Sequence, residues 1–412
     1  MVANRASAVT LSNENSPERK IRILHVINTL VVGGAENYVV NLTNATDSSK
    51  FDVYIAYSDG KSMGLDGAAL VERLRARHGL IKIPLRKFGN WWNLYSWFCN
   101  VRLVYVLYEI IRHHKIDIVH THLMHSALWA HLAAKCARVP VIYGLMGVLS
   151  PRDPFSWGAV RNPAAGRMLD GLVTKYIAFS KYLQVELETK LRVDKQKIVL
   201  TYLGVDLGVF NPTQDGFQIR RQLNLSTSVP VVGVVARLSA EKGVHKAILA
   251  FVHVVAQLPD AVLLIVGDGP LRKKLGDMCA EFNIANNVIF TGFRDDVPGL
   301  MATIDLYLQV GDLPNIGTTT LEAMASAKPL ITAVGNEDGR AMASETLIDG
   351  ENGFIVSNVP EEIAARIVCL LREKNNSFKM GQRSRKIVEE KFDFKGHVAV
   401  VEALYERLTN SP

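Results

Sequence analysis

The chain has 412 residues, of which 48% are hydrophobic and 21% are charged. This composition excludes a disordered protein and allows two domains with separate cores. The net charge of +7 is uneven, because residues 1–200 carry a balance of +11 and residues 201–412 a balance of −4. The basic half predicts an anionic partner, such as a membrane surface or a polyprenyl phosphate, but no basic run is long enough to favour nucleic acid.

Residues 1–20 are polar and rich in Ser and Asn, so they are predicted to form a disordered tail and not a signal peptide. The four cysteines lie far apart and form no C-x-x-C pair, which favours a reduced, cytoplasmic compartment. Arg102 and Glu109 interrupt the most apolar stretch. No membrane-spanning helix is therefore predicted.

From Ile21 onward, short β-branched runs alternate with helical patterns. In the first half these runs predict strands at Ile21–Ile27, Val53–Ala56, Ile116–Val119, Val139–Tyr143, Lys175–Ala178 and Ile198–Leu200. In the second half they predict strands at Val231–Val235, Val262–Val266, Val288–Phe290, Ile304–Gln309 and Leu330–Ala333. Such alternation is typical of parallel sheets with right-handed crossovers, and two blocks of it predict an α/β protein with two Rossmann-like domains in tandem.

The two domains are predicted to cover residues 21–208 and 209–393, because the breaker-rich segment Gly204–Thr213 separates the two blocks. Residues 394–412 follow the last predicted strand, and Phe394–Leu408 has the pattern of an amphipathic helix. We expect this helix to pack across the domain boundary.

Two segments of the first domain carry candidate ligand-binding groups. Gly33 and Gly34 lie between a strand and a helix, where a ligand can approach backbone N–H groups, although a plain tight turn explains them equally well. His120 and His122 stand at a predicted strand end, and His125 opens the next helix. No Asp, Glu or Cys has ligand spacing here, so we predict no metal site. We expect His122 to face a cleft and bind substrate, the alternative being a structural histidine.

In the second domain, Arg237 and Lys242 leave the carboxyl end of a predicted strand, the position where doubly wound sheets bind ligands. Both can contact one diphosphate, and the alternative is a solvated basic loop. Gly267 follows the next strand in a tight turn. It is a candidate for nucleotide binding, and the alternative is that it only supplies the positive φ that the turn needs. Phe293 and Arg294 follow the strand after that, where they can line a base pocket.

A strand, a glycine-containing loop and a helix start follow one another further along the second domain. The helix start has hydroxyls and free backbone N–H groups, which make an anion-binding N-terminus, and it comprises Gly317, Thr318, Thr319 and Thr320. Glu322 lies one turn further, where its carboxylate can reach a ribose. Thr319 and Glu322 also have capping-box spacing, which is the structural alternative for Glu322. The arrangement predicts a site for a nucleoside diphosphate.

A separate stretch, Arg86–Arg102, mixes Trp and Phe with basic residues. This composition is that of a segment lying on a membrane interface, although a buried helix explains it as well.

Together these motifs resemble the retaining family 4 glycosyltransferases, which have the two-domain GT-B fold with an interdomain cleft. The resemblance extends from Ile21 to Leu408 and rests on Gly33-Gly34-Ala35-Glu36, His120-Thr121-His122, Ile177–Ser180, Gly204–Asp206, Arg237 with Glu241–Gly243, Gly267–Pro270 and Leu321–Ala325. It implies an enzyme that moves a sugar from a nucleotide sugar to a hydroxyl acceptor, here a lipid-linked or polysaccharide-precursor glycan. No Asp-x-Asp motif occurs, so we expect no required metal or other cofactor.

In that family, the residues matching Arg237 and Lys242 bind the diphosphate, the Glu matching Glu322 binds the ribose, and the residue matching His122 faces the reacting sugar. These four are the implied catalytic residues. The implied donor-binding residues are Gly34, Arg237, Lys242, Gly267, Phe293, Arg294, Gly317, Thr318, Thr319, Thr320 and Glu322. The implied acceptor-side residues are Gly33, Gly34 and His122. The family's final helix crosses back onto the first domain.

The sequence departs from the family at three positions. The first of two glutamates spaced eight positions apart is Pro314 here, and Asp312 can substitute for it. A His common after the fifth strand is Met146, and an Asn common before Gly-Val-Asp is Leu203. Two alternatives therefore stay open: a nucleotide-sugar epimerase of the same fold, and a catalytically silent nucleotide-binding subunit. We expect a cytoplasmic protein, peripheral on the inner face of a membrane.

Overall fold

The computed structural model describes residues 19–30, 33–58, 68–74, 79–83, 94–122, 124–145, 170–311 and 317–410. Most of the predicted N-terminal tail lies outside these residues, as do Met146, Asp312 and Pro314. None of the described helices has the length and apolarity that crossing a lipid bilayer requires.

The first sheet contains the strands β1 (Ile21–Thr29), β2 (Phe51–Ser58), β3 (Gly79–Lys82), β4 (Ile118–His122), β5 (Val141–Leu145), β6 (Lys175–Ala178) and β7 (Ile198–Leu200). Their order is β3-β2-β1-β4-β5-β6-β7, and every neighbouring pair is parallel. The accompanying helices are α1 (Gly34–Ala45), α2 (Ala68–Arg73), α3 (Leu94–His113), α4 (Met124–Ala137) and α5 (Lys181–Thr189).

The second sheet contains the strands β8 (Val231–Val235), β9 (Val262–Val266), β10 (Val288–Gly292), β11 (Leu306–Gln309), β12 (Leu330–Val334) and β13 (Gly353–Ser357). Their order is β10-β9-β8-β11-β12-β13, again parallel throughout. The helices are α6 (Phe217–Gln222), α7 (Val244–Val255), α8 (Arg272–Glu281), α9 (Val297–Thr303), α10 (Thr318–Ala325), α11 (Glu337–Ala343), α12 (Pro360–Arg372) and α13 (Lys374–Lys391). In both sheets the strand order reverses next to the first strand, which opens a crevice at the carboxyl ends of the central strands.

The two parallel sheets confirm the predicted α/β fold. The edge strands β3 and β13 were not predicted, because each begins with glycine, a residue that strands disfavour, and continues with only a short apolar run. β4 and β5 begin later than predicted, at Ile118 and Val141. The reason is that the apolar run starts before the strand does, as at Ile116, which is buried in the core without belonging to a strand.

The last helix, α14 (Phe394–Asn410), follows the second sheet but packs on the first. Its Tyr405 hydroxyl lies 2.7 Å from His120 Nδ1, and its His397 Nε2 lies 2.8 Å from the Tyr38 hydroxyl. At the rim, Lys50 forms an ion pair with Glu406 at 2.9 Å. Apolar packing, buried polar pairs and this rim contact together hold the C-terminal end of the chain against its N-terminal half.

The chain passes between the two sheets twice, near Val205 and again near Phe392–Phe394, and these two passages lie side by side. Val205 N donates to Phe392 O at 2.9 Å, and Phe394 N donates to Val205 O at 3.2 Å. A Cβ atom on Gly204 would lie 2.4 Å from the Cα atom of Phe394. A side chain at residue 204 would therefore push the two passages apart.

Candidate functional site

The loop after β8 brings two basic side chains to the carboxyl edge of the second sheet. Ser239 Oγ and Arg237 donate to the same Glu241 oxygen, at 2.6 and 2.9 Å, and these bonds lower the pKa of Glu241 to about 2. Lys242 is partly buried and forms no ion pair with a described residue. Loss of hydration lowers its pKa. An anionic ligand would therefore offset the loss of hydration at Lys242. It would also contact an Arg237 side chain that its hydrogen bond to Glu241 already orients.

Gly243 joins this basic loop to the end of β11. Its φ is 62°, and a Cβ atom there would lie 2.0 Å from the carbonyl oxygen of Val310, so the conformation and the contact both require glycine. The contact brings Arg237 and Lys242 beside the segment that leads into α10.

α10 begins at Thr318, with Gly317 as its N-cap residue and no side chain capping it. The backbone N–H groups of Thr318 and Thr319 make no hydrogen bond to a described residue, whereas Thr320 N donates to Gly317 O at 3.0 Å. These open N–H groups, at the positive end of a helix, can bind an anion.

Two of the three hydroxyls that the sequence places at this helix start are turned into the domain. The Thr319 hydroxyl lies 2.7 Å from the Tyr307 hydroxyl, and the Thr320 hydroxyl donates to Gln309 Oε1. The sequence alone did not reveal these pairings, because they depend on rotamers that packing against β11 decides. Of these three threonines, Thr318 is the one whose hydroxyl makes no hydrogen bond to a described residue.

The capping-box alternative for Glu322 is wrong. A capping box joins the N-cap residue to the third residue of the helix, and these positions are Gly317 and Thr320. The Glu322 carboxyl group forms no hydrogen bond with a described residue, and it lies close to Tyr307. Burial raises its pKa to about 7. A carboxyl group that loses hydration without gaining a hydrogen bond from a described residue costs folding free energy, so Glu322 is a candidate for ligand binding.

The remaining predicted donor-side residues divide into packed and accessible groups. Gly267 has a φ of 128°, and a Cβ atom there would lie 2.1 Å from the Ala236 carbonyl oxygen, which gives Gly267 a packing role. Arg294 is paired with Asp296 through two nitrogens, one of them at 2.7 Å, and this pairing raises its pKa. The Phe293 side chain is 60% exposed, so its ring is accessible to a base.

The glycine loop of the first sheet borders the same region. A Cβ atom on Gly34 would meet nothing within 4 Å, whereas one on Gly33 would lie 2.3 Å from a Glu36 carboxylate oxygen. Burial raises the pKa of Glu36, and the charge of Arg237 acts in the opposite direction. Glu36 and Arg237 therefore lie close enough to interact across the boundary between the two sheets.

His122 does not expose its side chain to a cleft in this structure. His25, His120 and His122 are fully buried, and His122 Nε2 lies 2.8 Å from His25 Nδ1. Burial keeps the pKa values of His120 and His122 well below 6.5, so both rings are neutral. His25 was not predicted as part of this group, since its contact with β4 depends on β1 and β4 being neighbours in the sheet. The side chain of His125 lies outside the described residues.

Among the described residues, these three histidines come close enough to share a metal ion, with ligand atoms within 4.8 Å of one another. The donor set fits a metal poorly, because a hydrogen bond already joins two of the rings and Tyr405 binds the third. None of the hydrogen bonds described for the three rings involves a carboxylate that could offset a buried divalent charge.

Two family models match the chain. The model of Glycosyltransferase Family 4 matches residues 32–209, and the model of Glycosyl transferases group 1 matches residues 215–387. An N-acetyl-alpha-D-glucosaminyl L-malate synthase of Bacillus anthracis is 27% identical over 305 residues, which cover 72% of this chain and 76% of that protein. A GDP-mannose-dependent alpha-(1-6)-phosphatidylinositol dimannoside mannosyltransferase of Mycobacterium tuberculosis is 32% identical over 176 residues, which cover 42% of this chain and 43% of that protein.

Among solved structures, Anabaena Alr3699/HepE in complex with UDP and glucose superposes with a TM-score of 0.75 at 23% identity. The superposition covers 94% of this chain and 100% of that chain. This likeness shows a shared fold.

Proposed function

The chain belongs to the family 4 glycosyltransferases and has their GT-B fold, and from this premise we propose that it uses a nucleoside-diphosphate sugar as donor. The sugar passes to a hydroxyl group of a lipid-linked or polysaccharide-precursor glycan with retention of anomeric configuration. One observation carries the proposal. The basic loop, the first N–H groups of α10 and the Glu322 carboxyl group, which makes no hydrogen bond to a described residue, meet at one edge of the second sheet.

In this proposal, the reaction depends on stabilising the diphosphate as it leaves. Arg237 and Lys242 offset its developing charge, and the backbone N–H groups at the start of α10 bind its oxygens. Glu322 accepts hydrogen bonds from the ribose. Closing the cleft excludes water that would otherwise hydrolyse the donor.

The first domain supplies the acceptor side. A Cβ atom on Gly34 would meet nothing within 4 Å, and Glu36, two residues further on, lies near Arg237 of the basic loop. In this proposal an acceptor hydroxyl approaches the sugar beside Gly34. His122 can act on a sugar hydroxyl only if the cleft rearranges, because the side chain is fully buried. Its Nδ1 has no hydrogen-bond partner among the described residues, which leaves one nitrogen for such a contact.

A lipid-linked acceptor fits the surface of the first domain. The M. tuberculosis relative is named for a phosphatidylinositol dimannoside, and residues 1–200 of this chain carry a balance of +11. On α3, Val101 and Tyr105 are 47% and 62% exposed, next to the exposed Arg102. We propose that this face of α3 rests on an anionic membrane. The aromatic side chains between residues 91 and 98 lie outside the described ones.

Release of nucleoside diphosphate from a panel of nucleotide sugars, with and without a membrane lipid extract, tests the proposal. Sugar transfer predicts release that depends on the extract. An epimerase would convert the donor equally well without the extract, and a silent subunit would leave every donor intact. Either of these last two results would contradict the proposed function.

A further inference from the structure

Gln309 ends β11 at the carboxyl edge of the second sheet. The three residues before it are buried, whereas Gln309 is only partly buried. β11 pairs with β8 on one side and with β12 on the other, so Gln309 lies where the strand order reverses. That is the position at which open α/β sheets bind ligands.

Thr320 fixes the direction of the Gln309 amide. The Thr320 side chain is buried and donates its hydroxyl hydrogen to Gln309 Oε1. With its oxygen held there, the amide turns its nitrogen the other way, and Nε2 lies 3.8 Å from the point that a Cβ atom on Gly317 would occupy. Nε2 donates no hydrogen bond to a described residue.

The amide NH₂ group therefore borders the N-cap of α10, next to the open backbone N–H groups of Thr318 and Thr319. The Glu322 side chain on the same helix is only partly exposed and makes no hydrogen bond to a described residue, which independently indicates a ligand beside this helix. A Cβ atom at residue 317 would be in van der Waals contact with the amide nitrogen and with the Thr319 and Thr320 hydroxyl oxygens, so the amide lies directly beside the helix start.

We propose that Gln309 is a further binding residue of the donor site and donates from Nε2 to a diphosphate oxygen, with Thr320 as its positioning residue. The inference rests on the proposed use of a nucleotide donor. An amide adds a directed hydrogen bond without adding charge, which complements the two cations on the opposite loop.

The test measures the affinity for UDP and GDP by calorimetry in the wild type and in Gln309→Met, Gln309→Glu and Thr320→Val. Gln309→Met keeps most of the volume and removes the donor, and we expect Kd to rise about tenfold or more, as for one lost hydrogen bond to a charged group. Gln309→Glu keeps the shape but sets a carboxylate against the diphosphate, so its loss is at least as large. Thr320→Val keeps the amide but frees its orientation, and we expect a smaller loss, of about threefold.

Ser326→Ala is the matched control for Thr320→Val, because it removes another buried hydroxyl at the opposite end of α10. It should bind both nucleotides as the wild type does. Uridine and guanosine, which lack phosphate, should bind Gln309→Met and the wild type equally. Melting temperatures identify any variant that has lost its fold, and Gln309→Glu and Thr320→Val then provide the test in place of Gln309→Met.

The outcomes separate this inference from the proposed function. A wild type that binds UDP or GDP with a Gln309→Met variant of equal affinity would overturn the role of Gln309 alone. Equal losses for nucleoside and nucleotide would do the same, since the contact would not be with phosphate. A wild type that binds no nucleotide would overturn the proposed function and this inference together.

Discussion

At the residue scale, Glu322 is held in a state that costs stability. Burial raises the pKa of its carboxyl group from 4.5 to about 7. The folded protein therefore binds this proton more tightly than the unfolded chain does between these two pH values. The contribution to stability is fully present below about pH 4.5 and is lost as the pH rises through 7, where a buried group has to ionise.

Glu322→Gln keeps the shape of the side chain and removes its titration. We expect the free energy of unfolding of the variant, relative to the wild type, to be higher at pH 8 than at pH 5, by up to about 3 kcal/mol. Urea unfolding of both proteins at both pH values measures this difference. A stability difference that does not change with pH would show that Glu322 is not destabilised by burial.

The cations and the carboxyl group of the site could be predicted from the sequence, because residues at the carboxyl ends of parallel strands meet at one edge. Arg237, Lys242 and Glu322 are placed by this rule. The hydroxyl pairings of Thr319 and Thr320 could not be predicted, because rotamers depend on neighbours distant in sequence. One feature of the sequence indicates Gln309 as a binding residue, namely that it is a polar residue at the end of a buried strand.

At the element scale, the two passages between the sheets depend on a glycine. Gly204 lets the chain pass within hydrogen-bonding distance of Phe392 and Phe394. Gly396 lies two residues beyond that contact, in α14, and a Cβ atom there would meet nothing within 4 Å. A methyl group would therefore clash at Gly204 and fit at Gly396, although the two glycines lie in the same small region.

We expect Gly204→Ala to lower the free energy of unfolding by about 1–3 kcal/mol, since its methyl group would overlap the backbone of Phe394. Gly396→Ala should leave stability unchanged or raise it by up to about 1 kcal/mol, because alanine favours the helix more than glycine does. Urea unfolding of the two variants provides the comparison. Similar effects at both positions would contradict the close approach at Gly204.

The strands differ in how well the sequence predicts them. β8 and β9 consist of Val, Leu and Ile apart from Gly233 in β8, nearly all of these residues are buried, and the limits of both strands were predicted without error. β3 and β13 each begin with glycine and have only a short apolar run, so their sequence pattern is weaker. The pairing of β1 with β4, which unites His25 with His120 and His122, follows from sheet order and is not visible in local sequence.

At the scale of the whole molecule, several contacts tie the two halves together. Besides α14, Glu345 accepts hydrogen bonds from the backbone N–H groups of Lys181 and Tyr182, at 2.7 and 2.9 Å. A carboxylate at the start of α5 is favoured by the helix dipole. Because Glu345 and α5 lie on opposite sides of the boundary between the two sheets, this contact joins the two halves directly.

The charge difference between the halves predicts an oriented contact with a membrane. Vesicle sedimentation should show binding to anionic but not to neutral lipid, and the binding should weaken as salt screens the charges. Tyr105→Ser removes an exposed ring from α3 and should reduce binding. Phe378→Ser removes a ring that is 68% exposed on α13 of the acidic half and should not. Equal binding to both lipids, or to neither, would favour a soluble acceptor.

The central claim is that the loop after β8 binds the diphosphate of a nucleotide donor. Calorimetric titration of UDP and GDP into the wild type, Arg237→Met and Lys242→Met tests it most directly. Arg383→Met is the control, because it removes a cation on α13 that forms an ion pair with Glu351. Each site variant should lose about 1.5–3 kcal/mol of binding free energy, as for a lost hydrogen bond to a charged group, and the control should lose none. Unchanged nucleotide affinity in both site variants would contradict the account.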